Sequence, residues 1–157
     1  MENDRKKKIV AVASIGGHWI QLLRITRTLE SEFDVSYVST HEKCGVMVKG
    51  HPYEQVADFS RWDAYKLIPA FFSYWKIFRK MRPDVILTTG AAPGLVALAV
   101  GKMMGIKTIW VDSIANVATL SASGRVAAKF ATCVYTQWED LSSDRIRYAG
   151  NVLNIQQ

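Results

Sequence analysis

Lys8–Ala13 (KIVAVA) is a continuous apolar, β-branched run that stops at Ser14-Ile15-Gly16-Gly17-His18, the pattern of a buried parallel strand running into a glycine turn. Trp19, Leu22, Leu23, Ile25 and Leu29 then recur at helical spacing, and Asp34–Ser39 (DVSYVS) reads as a second strand. Tyr53–Ala57 is a weaker third strand. In the segment 61–82, Ile68, Phe71, Phe72, Trp75 and Phe78 form one helical stripe. Pro83-Asp84 opens the strand Val85–Thr89 (VILTT), followed by a second glycine loop, Gly90-Ala91-Ala92-Pro93-Gly94, and a helix from about Leu95 to Met104. Lys107–Val111 (KTIWV) is the next strand, and Asp112–Arg125 a polar loop rich in Ser and Ala. A short helix near Val126–Phe130, a strand at Thr132–Gln137 and a strand-like Gly150–Leu153 complete the pattern. Strands alternating with helices imply βαβ units with right-handed crossovers, so the expected class is α/β, a Rossmann-like doubly wound parallel sheet. Such sheets bind ligands outside the carboxyl ends of their strands. The loops there, Ser14–His18, Thr88–Gly94 and Asp112–Gly124, are expected to line one crevice.

Composition narrows this picture. A chain of 157 residues has room for one domain, 9–157, behind a polar leader, 1–8, that ends Arg5-Lys6-Lys7-Lys8. With 49% hydrophobic and 22% charged residues it is neither disordered nor fibrous. The longest apolar runs, Ile9–Ile15 and Leu95–Val100, fall short of the roughly 20 residues that cross a bilayer as a helix. The apolar stretch Ile9–Ala13 is also shorter than the roughly 7–15 residues of a secretory signal. Cys44 and Cys133 are too few for a disulfide framework and lack metal-ligand spacing. The expectation is a cytoplasmic protein without metal or cofactor.

Charge is concentrated in one place. Segment 61–82 contributes +5 of the formal net charge of +6, through Arg61, Lys66, Lys76, Arg79, Lys80 and Arg82 against Asp63. It also holds seven of the seventeen aromatic residues, Trp62, Tyr65, Phe71, Phe72, Tyr74, Trp75 and Phe78. Two accounts stand side by side: an amphipathic helix packed on the sheet with solvated cations, or a helix in a membrane interface with cations near anionic lipid. On the second account Trp62, Lys66, Phe71, Phe72, Trp75, Lys76, Phe78, Arg79, Lys80 and Arg82 are the membrane-associating residues. Nucleic acid is disfavoured, because no RNP, helix-turn-helix or zinc-finger pattern accompanies the patch.

The loops offer candidate chemistry. Ser14, Gly16 and Gly17 stand where a strand feeds a helix, so close backbone approach and free N–H groups suit an anion such as phosphate. The sequence is neither GxxxxGK[ST] nor GxGxxG, which weakens nucleotide readings. His18 suits a general base for a sugar hydroxyl or a donor to a diphosphate; a tight turn with a capping histidine is the ordinary alternative. Thr89, Gly90 and Gly94 repeat the arrangement, with close helix–sheet packing as the alternative. Asp112, Ser113, Asn116, Ser121 and Ser123 supply groups that hydrogen-bond hydroxyls and phosphates. His41 and His51 carry no functional expectation.

Taken in order, the SxGGH loop with its helix HWIQLLRI, the TTGAAPGL loop, the stretch WVDSIANVATLSASGRVA, and TQWE before YAGNVL resemble bacterial polysaccharide-biosynthesis glycosyltransferase subunits. These are relatives of the membrane-side, acceptor-binding half of the split N-acetylglucosaminyltransferase that makes dolichol-linked chitobiose. The likeness runs from Ile9 to Leu153. It implies a single N-terminal-type half of a GT-B glycosyltransferase that binds a polyprenyl-diphosphate-linked acceptor and recruits a second subunit carrying the UDP-sugar site. The length agrees, since a GT-B enzyme has two Rossmann-like domains and this chain has room for one. In the related peptidoglycan-precursor transferase a Gly-Gly-His loop lies on the acceptor side. Gly16, Gly17 and His18 would inherit an acceptor or catalytic role, and Asp112–Asn116 would border the acceptor. The eukaryotic half starts with a transmembrane helix where this chain has a polar leader, so attachment to the inner face of the cell membrane is expected through 61–82. The second glycine loop lacks a Gly-Pro-Gly run, which points to a bacterial polyprenyl-diphosphate carrier. The expected activity is transfer of a sugar from a UDP-sugar in capsule or exopolysaccharide synthesis. Its rivals are a non-catalytic scaffold that activates a partner and a self-sufficient nucleotide-binding enzyme.

Overall fold

A computed structural model describes residues 5–60 and 62–155; residues 1–4 of the leader and Arg61 of the basic segment lie outside it. Seven strands, β1 (Lys8–Ala13), β2 (Asp34–Ser39), β3 (Tyr53–Gln55), β4 (Val85–Gly90), β5 (Lys107–Val111), β6 (Cys133–Thr136) and β7 (Ile146–Tyr148), form one sheet in the order β3-β2-β1-β4-β5-β6-β7. Every pairing is parallel. The helices are α1 (Gly17–Thr26), α2 (Glu42–Met47), α3 (Leu67–Met81), α4 (Ala92–Met103) and α5 (Ala122–Ala127). The expected Rossmann-like α/β class is therefore observed.

Alternation along the strands builds a layer on each face. Val10, Val12, Ile86, Trp110 and Val134 meet Tyr74, Ile77 and Phe78 of α3 and Ala97, Leu98 and Val100 of α4. Ile9, Ala11, Ala13, Val35, Tyr37 and Leu87 meet Trp19, Leu22 and Leu23 of α1 and Cys44 of α2. This two-sided burial explains why β1 is apolar at successive positions rather than alternately. Helix α4 lies close enough to the sheet that a Cβ on Gly94 would stand 2.1 Å from Thr88 Oγ1, and one on Gly101 2.3 Å from Ile86 Cδ1.

Several boundaries differ from the sequence pattern for local reasons. Helix α1 ends at Thr26, whose Oγ1 donates back to the Leu22 carbonyl at 3.0 Å. The short helix expected at Val126–Phe130 starts earlier, at Ala122, because Ser121 caps it by accepting from Gly124 N. Gly150–Leu153 is a turn, and the last strand lies upstream at Ile146–Tyr148. Helix α2 and strand β7 are absent from the pattern reading; α2 buries only Cys44 and so carries no apolar stripe.

The leader is tied down before β1. Asp84, at the start of β4, accepts from Lys8 N at 2.8 Å and Arg5 Nη2 at 2.9 Å, and its own N–H donates to the Lys8 carbonyl at 2.9 Å. The Lys8 N–H first, and Arg5 after it, hold the Asp84 carboxyl below its ordinary pKa. The stability this adds is fully present above the ordinary aspartate value and is lost as pH falls through the lower folded one. In thermal melts from pH 7 to pH 3, Asp84→Asn is expected to lower Tm at neutral pH, with the gap to wild type closing at the acid end. A gap independent of pH would remove this role of the carboxylate.

Candidate functional site

The strand order reverses between β1 and β4, with β2 and β3 on one side and β5–β7 on the other. A crevice opens at such a switch point beyond the carboxyl ends of the two strands. Each strand leads through a glycine into a helix that starts there. Neither helix has a side-chain cap: Gly16 precedes α1 and Ala91 precedes α4. First-turn N–H groups without a capping acceptor are donors aimed at whatever enters, reinforced by the positive ends of the helix dipoles. Gly16 has φ 105°, a backbone conformation that glycine adopts without penalty. A Cβ on Gly16 or Gly17 would meet nothing within 4 Å, so packing does not demand these glycines.

The loops are joined by hydrogen bonds. Ser14 N donates to the Gly90 carbonyl at 3.2 Å, and Ile15 N to Thr40 Oγ1 at 3.0 Å. His18, half-buried in the first turn of α1, is clamped to the second loop: its Nδ1 lies 2.9 Å from the Thr89 carbonyl, and Thr89 Oγ1 donates to the His18 carbonyl at 2.6 Å. A carbonyl oxygen only accepts, so Nδ1 carries the proton and Nε2 is the basic nitrogen of the neutral ring. A Cβ on Gly90 would stand 2.9 Å from His18 Nδ1, so this glycine makes room for the imidazole. Gly94 is explained by its packing on Thr88.

The third loop is organised around Asp112. Only 2% exposed, its carboxylate accepts from Trp110 Nε1 at 2.9 Å, Ser121 Oγ at 2.6 Å, Ser121 N at 2.9 Å and Asn116 Nδ2 at 3.1 Å. The close approach of α5 requires Gly124, whose added Cβ would stand 2.5 Å from Asp112 Oδ1. Asp112 and Ser121, both expected to face a ligand, are hydrogen-bonded to each other, as a buried carboxylate must be. Ser113 Oγ is likewise engaged, accepting from Ala115 N at 3.2 Å. Asn116 is half-buried, and with its Nδ2 fixed on Asp112 its amide oxygen has a set direction.

Ser123 lines a cleft of about 510 Å³ with Asp58, Phe59, Ser60, Asp63 and, from the start of α4, Ala91 and Ala92. Sequence reasoning also missed Gln21 and Gln137, both buried and both donating to the Asp112 carbonyl. Their signal was a glutamine beside apolar positions, in HWIQLLRI and in VYTQW. Among the described residues no three His, Cys, Asp or Glu side chains gather as a metal site needs.

The basic aromatic segment divides between the two accounts. Phe78 is 1% exposed and packs in the core with Ala70, Tyr74 and Ile77, so its assignment to a membrane surface is corrected. Phe71 and Trp75 are half-buried against that core, stacked at 5.9 Å. Lys80 pairs with Glu54, and Lys66 lies 3.7 Å from Asp63. Trp62, Tyr65, Ile68 (69% exposed) and Phe72 (59%) form an exposed apolar patch around the start of α3, and Lys76, Arg79 and Arg82 are exposed farther along. No helix among the described residues is long and apolar enough to cross a membrane.

Residues 55–152 match the family described as "Oligosaccharide biosynthesis protein Alg14 like". The UDP-N-acetylglucosamine transferase subunit ALG14 of Mus musculus is 22% identical over 166 residues, which cover 85% of this chain and 76% of that protein. Among solved structures, MurG of Acinetobacter baumannii superposes with a TM-score of 0.78 at 16% identity, over 92% of this chain and 46% of that one. The UDP-GlcNAc 2-epimerase of Neisseria meningitidis, bound to UDP-GlcNAc, superposes with a TM-score of 0.72 at 12% identity, over 93% and 47%. The chain thus spans about half the length of these solved structures, and the likeness shows a shared fold.

Proposed function

The chain belongs to the Alg14-like family of oligosaccharide-biosynthesis proteins, and on that premise we propose that it is the acceptor-binding subunit of a two-chain glycosyltransferase whose partner presents a UDP-sugar. The observation that carries this reading is the pair of uncapped helix starts, α1 and α4, flanking a histidine whose tautomer is fixed. Free N–H groups at two helix starts complement a diphosphate. The acceptor is a polyprenyl-diphosphate-linked sugar of a bacterial polysaccharide pathway, in keeping with the ordered motifs. Its diphosphate lies over Gly16, Gly17 and the Gly90–Ala92 turn.

His18 Nε2 is the general base. The acceptor hydroxyl oxygen bonds to the anomeric carbon, its proton passes to Nε2, and UDP leaves with the electron pair of the breaking C–O bond. The Thr89 carbonyl, already bonded to Nδ1–H, stabilises the imidazolium that forms. The Asn116 amide oxygen accepts from a sugar hydroxyl. The exposed patch of Trp62, Tyr65, Ile68 and Phe72 enters the inner face of the cell membrane, with Lys76, Arg79 and Arg82 near anionic headgroups at about 1 kcal/mol each.

In the purified pair, His18→Gln is expected to lower kcat by about 10²–10⁴ while the complex still elutes as one species. Unchanged turnover would end the base assignment, and lost assembly would favour a scaffold. In flotation with vesicles containing anionic phospholipid, Ile68→Glu and Phe72→Glu are each expected to release the chain, whereas unaltered flotation would leave the patch without a membrane role.

A further inference from the structure

We infer that Gln21 is a positioning residue that fixes the spacing between His18 and the third loop and thereby controls the fit of the acceptor; this rests on the acceptor-subunit reading above. Gln21 lies on α1 three residues after His18, is 5% exposed, and follows the same turn as the apolar Trp19, Leu22 and Leu23. A primary amide in such a layer is costly unless both of its ends are bonded. Both are, and to one short stretch of the third loop: Nε2 donates to the Asp112 carbonyl at 3.2 Å, and Oε1 accepts from Ile114 N at 3.0 Å. The side chain thus pairs with the Asp112–Ile114 backbone as a strand would.

The Asp112 carbonyl is held from a second direction by Gln137 Nε2 at 2.9 Å, while Gln137 Oε1 accepts from Val152 N at 2.9 Å. Trp138 Nε1 donates to the Ile114 carbonyl at 2.8 Å. Gln137 and Trp138 tie the loop to the end of β6, whereas Gln21 ties it to the helix that carries the histidine. From Asp112 the connection continues through its carboxylate to Asn116 Nδ2 at 3.1 Å. His18 and Asn116 are therefore linked through one helix turn, one amide and one carboxylate, and Gln21 ties α1 to the third loop.

The test compares Gln21→Met, which keeps the length and loses both bonds, with Gln21→Glu, which keeps the acceptor for Ile114 N. Steady-state kinetics of the purified pair are run against each substrate in turn, with Asp84→Asn, at the amino end of β4 and away from the loops of the site, as the stability control. Gln21→Met is expected to raise the KM for a short-chain prenyl-diphosphate sugar roughly tenfold, with the KM for the UDP-sugar within about twofold, and Gln21→Glu, whose second oxygen faces the Asp112 carbonyl, to raise the acceptor KM at least as much. In ¹H–¹⁵N spectra of the chain alone, the Asn116 side-chain amide is expected to move in both Gln21 variants. Asp84→Asn is expected to lower Tm and leave the acceptor KM in place. A lower Tm with an unchanged acceptor KM in the Gln21 variants would overturn the inference alone. A wild-type pair without turnover would overturn the acceptor-subunit reading and the inference together. Should Gln21→Met fail to fold, Gln21→Leu, which also loses both bonds and buries no charge, decides by the same two readouts.

Discussion

Two helices start side by side at the reversal of strand order, and the N–H groups of their first turns have no capping side chain to accept from them. Much of the upper rim of the sheet follows from that constraint. Open glycines at Gly16 and Gly17 keep the first helix start accessible, and Gly94 lets α4 settle onto Thr88 so that its own start reaches the same crevice. His18 is held between them by reciprocal bonds with Thr89. The result is a pair of helix starts with unpaired backbone donors and one basic nitrogen at their edge, made mostly of backbone.

The second organising element is a buried carboxyl group with no cationic partner among the described residues. Asp112 is tolerable because four donors surround its carboxylate and two glutamines share its carbonyl. Low local dielectric makes such a network strong when complete and costly when broken. It therefore fixes a loop that would otherwise be a run of small polar residues. The division of labour is between backbone donors left uncapped at two helix starts and a buried hub that holds the third loop.

Where sequence and structure agree, and where they part, has a physical pattern. The strands from Lys8, Asp34, Val85 and Lys107 were legible because two-sided burial writes itself as unbroken apolar runs. The glycine loops were legible because a strand feeding a helix through Gly16 or Gly90 leaves few alternatives. The stripe read along α3, Ile68, Phe71, Phe72, Trp75 and Phe78, is rotated from the buried side and leaves out Tyr74 and Ile77. Ala70, Tyr74, Ile77 and Phe78 form the buried side, while Ile68 and Phe72 lie outside it, and aromatic residues alone do not tell the two sides apart. The roles of Asp112 and Ser121 were not legible, since a polar loop facing a ligand and a polar loop facing itself have the same composition. Gln21 and Gln137 escaped for the converse reason: each is a single polar residue whose partners lie 91 and 25 positions away.

The central claim is that this chain by itself grips a diphosphate at two helix starts, while the activated sugar is seated by another chain. Isothermal titration of the chain alone, with a water-soluble short-prenyl diphosphate sugar and separately with a UDP-sugar, addresses it directly. The account predicts saturable binding of the prenyl diphosphate, displaced by inorganic pyrophosphate, and heat from the UDP-sugar only once the partner is added. Saturable binding of the UDP-sugar to the lone chain, with no response to the prenyl diphosphate, would contradict it.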